Sequence, residues 1–321
     1  MLSNRTDNIL VYLLKSEARI ALIILSILAG AVLLTLSGCS FKRINRSKDV
    51  VYTKPGNKPE QQLNIFAPKK HRKPADVIVF IHGGNWNSGR KSQYSIIGNH
   101  WAKKGVVCVI IDYPLSPEAD YKEMAVASAK SVKWVKENIA EYGGNSERIF
   151  ISGHSAGGHL AALISIDNQY FEALGIPNPI AGTILIDAAG LDMYGYLNEE
   201  KVAKDHTYMK TFTADPKIWK EATPLYHLHK NMPPMLIYQG GKTYPSISKS
   251  NQKFITALKA FAPETTFHVQ KSKKHIPMIT QYLNPWNKRY GEIIRFMENT
   301  KDKDDSGKKN EVIPRDQALI K

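Results

Sequence analysis

Cysteine is scarce in this chain, which has two in 321 residues, Cys39 and Cys108. Cys108 lies within an apolar run typical of a buried strand, where a lone thiol is most simply a small core residue. We therefore expect no internal disulfide. No Cys/His cluster has the spacing of metal ligands, so the sequence predicts neither a metal site nor a cofactor.

Acidic residues are fewer than basic ones in this chain. The 29 Asp and Glu face 44 Lys and Arg, which gives a formal net charge of +15. The basic residues are dispersed and no nucleic-acid-binding motif accompanies them, so nucleic acid is not an expected partner. A plain solvated surface and attraction to an anionic envelope surface both remain open.

Only one long hydrophobic run is present, at 20–36, and it follows a basic segment that contains Arg5, Lys15 and Arg19. The run ends in Leu36-Ser-Gly-Cys39, which resembles a bacterial lipobox. We predict a signal peptide over 1–38, lipid attachment at Cys39 and a tether over 39–49, with an uncleaved anchor as the alternative. Either way the rest of the chain is expected outside the cytoplasm, lipid-anchored in the cell envelope, and at the outer membrane in a Gram-negative source.

The region 50–299 is predicted to be one α/β domain with a mostly parallel sheet and helices on both faces. An opening strand pair over 50–66 is followed by strands at 77–81, 106–111, 148–152 and 182–187, which alternate with helices around 92–104, 121–142 and 157–166. The segment 191–231 is an aromatic-rich insertion. Either it forms a cap that lines a pocket or its aromatic residues pack on the sheet. The tail 300–321 is polar and charged, and we expect it to be disordered.

Gly153-His-Ser-Ala-Gly157 directly follows one of these strands and precedes a helix of small residues. A serine between glycines at a strand-to-helix turn is typical of a nucleophile elbow, in which the turn is so sharp that neighbouring side chains must be small. Ser155 is therefore the predicted nucleophile.

His82-Gly-Gly-Asn-Trp86 follows the strand at 77–81. Glycines at such a point let main-chain N–H groups approach the oxygen of a bound carbonyl group. We expect the amides of Gly84 and Asn85, together with that of Ala156, to form an oxyanion hole.

These motifs resemble the α/β-hydrolase superfamily, in the esterase/lipase branch that includes feruloyl- and acetylxylan-esterase-like and kynurenine-formamidase-like enzymes. The resemblance covers roughly 50–297. Within it, 233–240 resembles the family's strand before the acid loop, and 274–278 resembles its histidine loop. It implies the α/β-hydrolase fold and the catalytic order serine, acid, histidine along the chain. His275, on the loop after the last predicted strand, would then be the general base.

The family pattern places an Asp in the loop that corresponds to 239–245, where this chain has none. No Asp or Glu occurs between Glu221 and Glu264. The expected replacement is Asp192, in the loop that follows the predicted strand at 182–187. Asp187 and a Ser155–His275 dyad, with Thr243 or water orienting the ring, are the alternatives.

The expected function is hydrolysis of a small carboxylic ester through an acyl-enzyme at Ser155. A small-molecule ester is the predicted substrate, and the membrane is a partner only through the lipid anchor. An amidase or formamidase, and a binding protein on a degenerate hydrolase fold, are the alternatives that the sequence leaves open.

Overall fold

The computed structural model describes residues 44–300, apart from 55, 57–58, 70–72 and 201–206. Eight strands form one sheet: β1 Ile44–Thr53, β2 Gln61–Pro68, β3 Ala75–Ile81, β4 Val107–Ile111, β5 Gly144–His154, β6 Ile180–Ile186, β7 Met235–Gly240 and β8 Thr266–Gln270. The helices between and after them are α1 Ser95–Lys103, α2 Tyr121–Asn138, α3 Ala156–Ile166, α4 Gln169–Glu172, α5 Met193–Glu200, α6 Thr207–Phe212, α7 Pro216–Glu221, α8 Pro245–Leu258, α9 His275–Thr280 and α10 Lys288–Asn299. Short 3₁₀ turns lie at Lys91–Tyr94, Ile139–Tyr142, Pro224–His227 and Gln281–Leu283.

The strand order across the sheet is β1-β2-β4-β3-β5-β6-β7-β8. β3 to β8 are mutually parallel, whereas β2 pairs antiparallel with both β1 and β4. Parallel neighbours require crossover connections, and the helices between the strands provide them. The predicted alternation of strands and helices is therefore present.

The sheet separates two apolar layers. Along β3, Val77, Val79 and Ile81 face one layer, which contains α2 and α3, while Ile78 and Phe80 face the other, which contains α1 and α10. This alternation follows from the two-residue period of a strand. Because both faces are covered, the central strands are apolar throughout, and all five residues of β4 are buried.

The tether predicted over 39–49 is wrong in its second half. β1 begins at Ile44 and pairs with β2 from Ile44 opposite Pro68 onwards, so these residues belong to the sheet. The antiparallel ladder with β2 supplies hydrogen bonds that a polar composition alone does not reveal. The predicted signal peptide, Cys39 and the tail beyond Thr300 lie outside the described residues, and no helix among residues 44–300 as described is long and apolar enough to span a membrane.

Three strands end at the same edge of the sheet with polar residues of interest. Ser155 follows β5, Asp187 follows β6, and His275 lies five residues after β8. Because these strands are parallel, their carboxyl ends lie side by side, which is where open α/β sheets bind ligands.

Candidate active site

Ser155 occupies a sharp turn between β5 and α3. Its backbone has φ 56° and ψ −123°, a conformation that side-chain-bearing residues rarely adopt. The flanking glycines are required by close packing, since a Cβ on Gly153 would lie 2.2 Å from the Gly157 carbonyl oxygen, and one on Gly157 would lie 2.2 Å from that of Ile81. This local geometry is that of a nucleophile elbow.

His275 is in hydrogen-bonding contact with Ser155. The distance from its Nε2 to the Ser155 Oγ is 2.9 Å. The His275 ring is almost buried and stacks on the ring of His154 with 4.6 Å between centroids. The structure thus brings together the two residues that the sequence proposed as nucleophile and base.

The acid beside His275 is Asp187, not Asp192. His275 Nδ1 lies 2.6 Å from Asp187 Oδ2, so the imidazole donates Nδ1–H to this carboxylate and presents the Nε2 lone pair to the serine. Asp187 is fully buried and also accepts the Gly240 amide at 2.8 Å and the Thr243 hydroxyl at 2.5 Å. A buried carboxylate needs such donors, and these three hold it in one orientation.

Asp192, the predicted acid, is engaged elsewhere. Its Oδ2 lies 2.7 Å from the Lys253 ammonium and its Oδ1 accepts the Gly195 amide at 2.9 Å. These bonds place Asp192 at the start of α5, against α8. The prediction of Asp192 is wrong because Asp187 directly follows β6 and reaches across the end of β7. Asp192 comes five residues later, directly before α5.

The loop after β3 has an unusual backbone. Gly84, Asn85 and Trp86 have φ values of 133°, 53° and 60°. Within the described part of the chain, no hydrogen bond is donated by the amides of Gly84 or Asn85, and both residues line the same cavity as Ser155. Ala156 is the first residue of α3, so its amide belongs to those that lack an intrahelical acceptor.

Two further histidines flank Ser155, and neither has the position of a base. Burial lowers the pKa of His154 to about 3 and that of His159 to about 4. His154 Nε2 donates to the His275 carbonyl at 3.2 Å, and His159 Nε2 donates to that of Ala222 at 2.7 Å. Both rings are therefore neutral near pH 7 and serve as packing and hydrogen-bonding groups.

A cavity of about 1100 Å³ opens in front of Ser155. From the insertion, Tyr196 and Tyr208 line it, whereas Phe212 and Trp219 are buried in the core. Both interpretations of the insertion therefore hold, each for different residues. The Tyr208 hydroxyl donates to the Asn85 side-chain oxygen at 2.9 Å, which connects the insertion to the loop after β3.

The family model that matches this chain is BD-FAE, over residues 63–255, which is more than half of the sequence. Among curated proteins, the chain is similar to esterase LipQ of Mycobacterium tuberculosis, with 29% identity over 72% of this chain and 56% of that protein. It is also similar to a probable isoprenylcysteine alpha-carbonyl methylesterase (ICMEL1) of Arabidopsis thaliana, with 24% identity over 73% of this chain and 52% of that protein. The chain thus spans about half the length of the curated relatives it matches.

Solved structures share the fold. Esterase 2 of Thermogutta terrifontis, in a form phosphoramylated by tabun, matches with a TM-score of 0.65 at 21% identity, over 79% of this chain and 94% of that one. Esterase B of Lactobacillus rhamnosis, inhibited by a tributyrin phosphonate, matches with a TM-score of 0.68 at 18% identity, over 90% and 97%. The predicted α/β-hydrolase fold is confirmed. The chain belongs to the BD-FAE family, in the esterase branch of the α/β-hydrolase superfamily.

Proposed function

We propose that this protein is a serine carboxylesterase that hydrolyses small carboxylic esters through an acyl-enzyme at Ser155. The observation that carries the proposal is the continuous hydrogen-bonded chain from the Ser155 hydroxyl through His275 to Asp187, with distances of 2.9 and 2.6 Å. Such a relay lets a neutral imidazole take the serine proton while the carboxylate stabilises the imidazolium that forms. The esterase names of the curated relatives point in the same direction.

The chemistry proceeds in two halves. His275 Nε2 accepts the proton of Ser155 as the oxygen attacks the ester carbonyl carbon, and the resulting oxyanion is stabilised by the amides of Gly84, Asn85 and Ala156. His275 then gives this proton to the leaving alcohol as the acyl-enzyme forms. Water, activated by the same imidazole, attacks the acyl group, and His275 returns the proton to Ser155.

The cavity wall supports a small, partly apolar substrate. Tyr196 and Tyr208 present aromatic surface to one side, and Ile276 and Ile279 present aliphatic surface to another. Few charged groups line the cavity, which favours a neutral ester over a charged one. Asp192 lines it too, but its carboxylate is already paired with Lys253.

The proposal is tested by Ser155→Ala in the purified protein with p-nitrophenyl acetate. Without the nucleophile, kcat should fall by at least about 10⁴-fold, because a serine hydrolase that loses this residue keeps only the contribution of its remaining site. Ser165→Ala is the matched control, since Ser165 is buried at the other end of α3 and its hydroxyl donates to the Ala162 carbonyl of the same helix. Full activity in Ser155→Ala would refute the mechanism.

An amidase or formamidase would use the same residues. No observation favours it over an esterase, and a comparison of aryl esters with N-formyl arylamines separates the two. The binding-protein alternative rested on the missing acid after β7. The bond between Asp187 and His275 removes that reason.

We also propose that the chain is lipid-anchored in the cell envelope through Cys39, with the enzyme domain outside the cytoplasm. The support is the Leu36-Ser-Gly-Cys39 pattern after a basic and then an apolar segment. Metabolic labelling with an alkyne fatty acid should mark the wild-type chain and not Cys39→Ala. Equal labelling of both proteins would contradict the anchor.

A further inference from the structure

Large apolar side chains are exposed at the mouth of the cavity. Tyr244 is 58% exposed and Ile276 is 56% exposed, and both line the cavity that contains Ser155. The Tyr244 ring lies 5.2 Å from the His275 ring, so this apolar surface begins directly beside the candidate base. Part of it therefore remains in contact with water in the structure as described.

The apolar surface continues along the segment after His275. Leu283 is 47% exposed and Trp286 is 88% exposed. Ile276 and Leu283 are seven residues apart in a stretch that is helical from His275 to Leu283, so they lie on the same side of it. We call Tyr244, Ile276, Leu283 and Trp286 the rim surface. Tryptophan is enriched at interfaces, and large apolar side chains exposed close together along one segment are typical of an interaction site.

The chain segment that carries Ile276, Leu283 and Trp286 is rich in positive charge. Residues 265–291 contain five basic residues and no acidic one. Arg289 is buried and pairs with Glu292, but Lys271, Lys274 and Lys288 are exposed. These three lysines take part in no ion pair with any of the side chains that the structure describes. Their charge is available to a partner of opposite sign.

We propose that the rim surface docks on an anionic lipid surface, so that the cavity mouth faces the membrane and receives esters dissolved in it. Tryptophan and aliphatic side chains favour the boundary between headgroups and acyl chains, and nearby lysines add attraction to anionic headgroups. The substrate part of this proposal rests on the proposed esterase activity. The docking part does not.

The test uses the full chain, so that any binding through its N-terminal segment is common to every variant. Brominated lipids quench tryptophan that enters the bilayer boundary, and the difference between wild type and Trp286→Phe isolates the emission of Trp286. On vesicles of brominated phosphatidylglycerol and phosphatidylcholine, this emission should fall about twofold relative to unbrominated vesicles. On brominated phosphatidylcholine alone it should fall less.

Two sets of variants locate the contact. Lys271→Glu with Lys288→Glu should weaken docking on the anionic vesicles by at least about tenfold, because each lysine near such a surface contributes about a fivefold factor. Leu283→Ser should reduce quenching, whereas Phe261→Ser should not. Phe261 is 39% exposed but precedes β8, at the opposite edge of the sheet.

Unquenched Trp286 emission on anionic vesicles would overturn the proposal and leave a protein partner for the rim surface. Equal quenching on both lipids, or an equal effect of Phe261→Ser, would also overturn it. The enzymatic arm compares a long-chain p-nitrophenyl ester dissolved in vesicles with soluble p-nitrophenyl acetate, and Leu283→Ser should slow only the former. Ser155→Ala should dock like wild type, so failure of docking and failure of the esterase activity are distinguishable.

Discussion

Replacing Asp187 with asparagine exchanges one carboxylate oxygen for an NH₂ group, yet it should abolish most of the activity. Asp187 receives three donors, the Gly240 amide, the Thr243 hydroxyl and His275 Nδ1–H. An asparagine offers one oxygen and one NH₂ group, so an N–H must face at least one of these donors. This clash between two donors is removed at the smallest cost in free energy if His275 carries its proton on Nε2 and accepts a hydrogen bond from the amide through Nδ1. The nitrogen beside Ser155 then has no lone pair with which to take the serine proton.

The expected loss in kcat is about 10⁴-fold, the effect of the equivalent change in a serine protease, which corresponds to about 5 kcal/mol of transition-state stabilisation. KM for p-nitrophenyl acetate should change little, because Asp187 is fully buried and does not line the cavity. Asp192→Asn is the matched comparison and should cost less than about tenfold, since its carboxylate bonds to Lys253 and not to the base. A larger loss of kcat in Asp192→Asn than in Asp187→Asn would contradict a role for Asp187 in orienting His275.

Two other predictions concern groups around Ser155. Tyr208→Phe removes the hydrogen bond to the Asn85 side chain and should lower kcat by about tenfold. This loss is smaller than the 100-fold or more expected when an oxyanion donor itself is lost. An unchanged kcat would show that the loop after β3 keeps its conformation without this bond. Because burial lowers the pKa of His159 to about 4, the unfolded chain binds a proton there below about pH 6.5 that the folded chain does not. Stability should therefore fall as the pH drops from about 6.5 towards 4, by up to about 3 kcal/mol from this residue, and urea titrations of His159→Gln should show a shallower dependence. An equal slope in wild type and variant would contradict this account.

The residues that the structure brings together at Ser155 are those that the sequence predicts from local backbone geometry. The serine between glycines and the glycine pair after β3 each specify a backbone conformation within a few residues, and the structure has positive φ at Ser155, Gly84 and Asn85. His275 is predicted from its place on the loop after the last strand, and it lies in contact with Ser155. These signals involve residues that are close in sequence, so they can be recognised without knowledge of the tertiary structure.

The acid could not be found in this way because its role depends on a contact across a strand. Asp187 follows β6 and His275 follows β8, so β7 lies between the two strands. The side chains make contact only because the end of β7 leaves space between them. Gly240 makes room there, since a Cβ on it would lie 2.7 Å from the Lys273 carbonyl oxygen, and its amide bonds to Asp187. The available clues were a loop at 239–245 without the carboxylate of the family pattern and an Asp directly at the end of β6, and neither sets the distance to the imidazole.

Activation of the Ser155 hydroxyl by His275 can be measured with a single labelling experiment. The wild-type protein is treated with a fluorophosphonate, digested, and analysed by mass spectrometry. We expect one stoichiometric adduct on the peptide that carries Ser155, formed much more slowly in a His275→Gln variant. An unlabelled protein, or an adduct on another residue, would contradict the account.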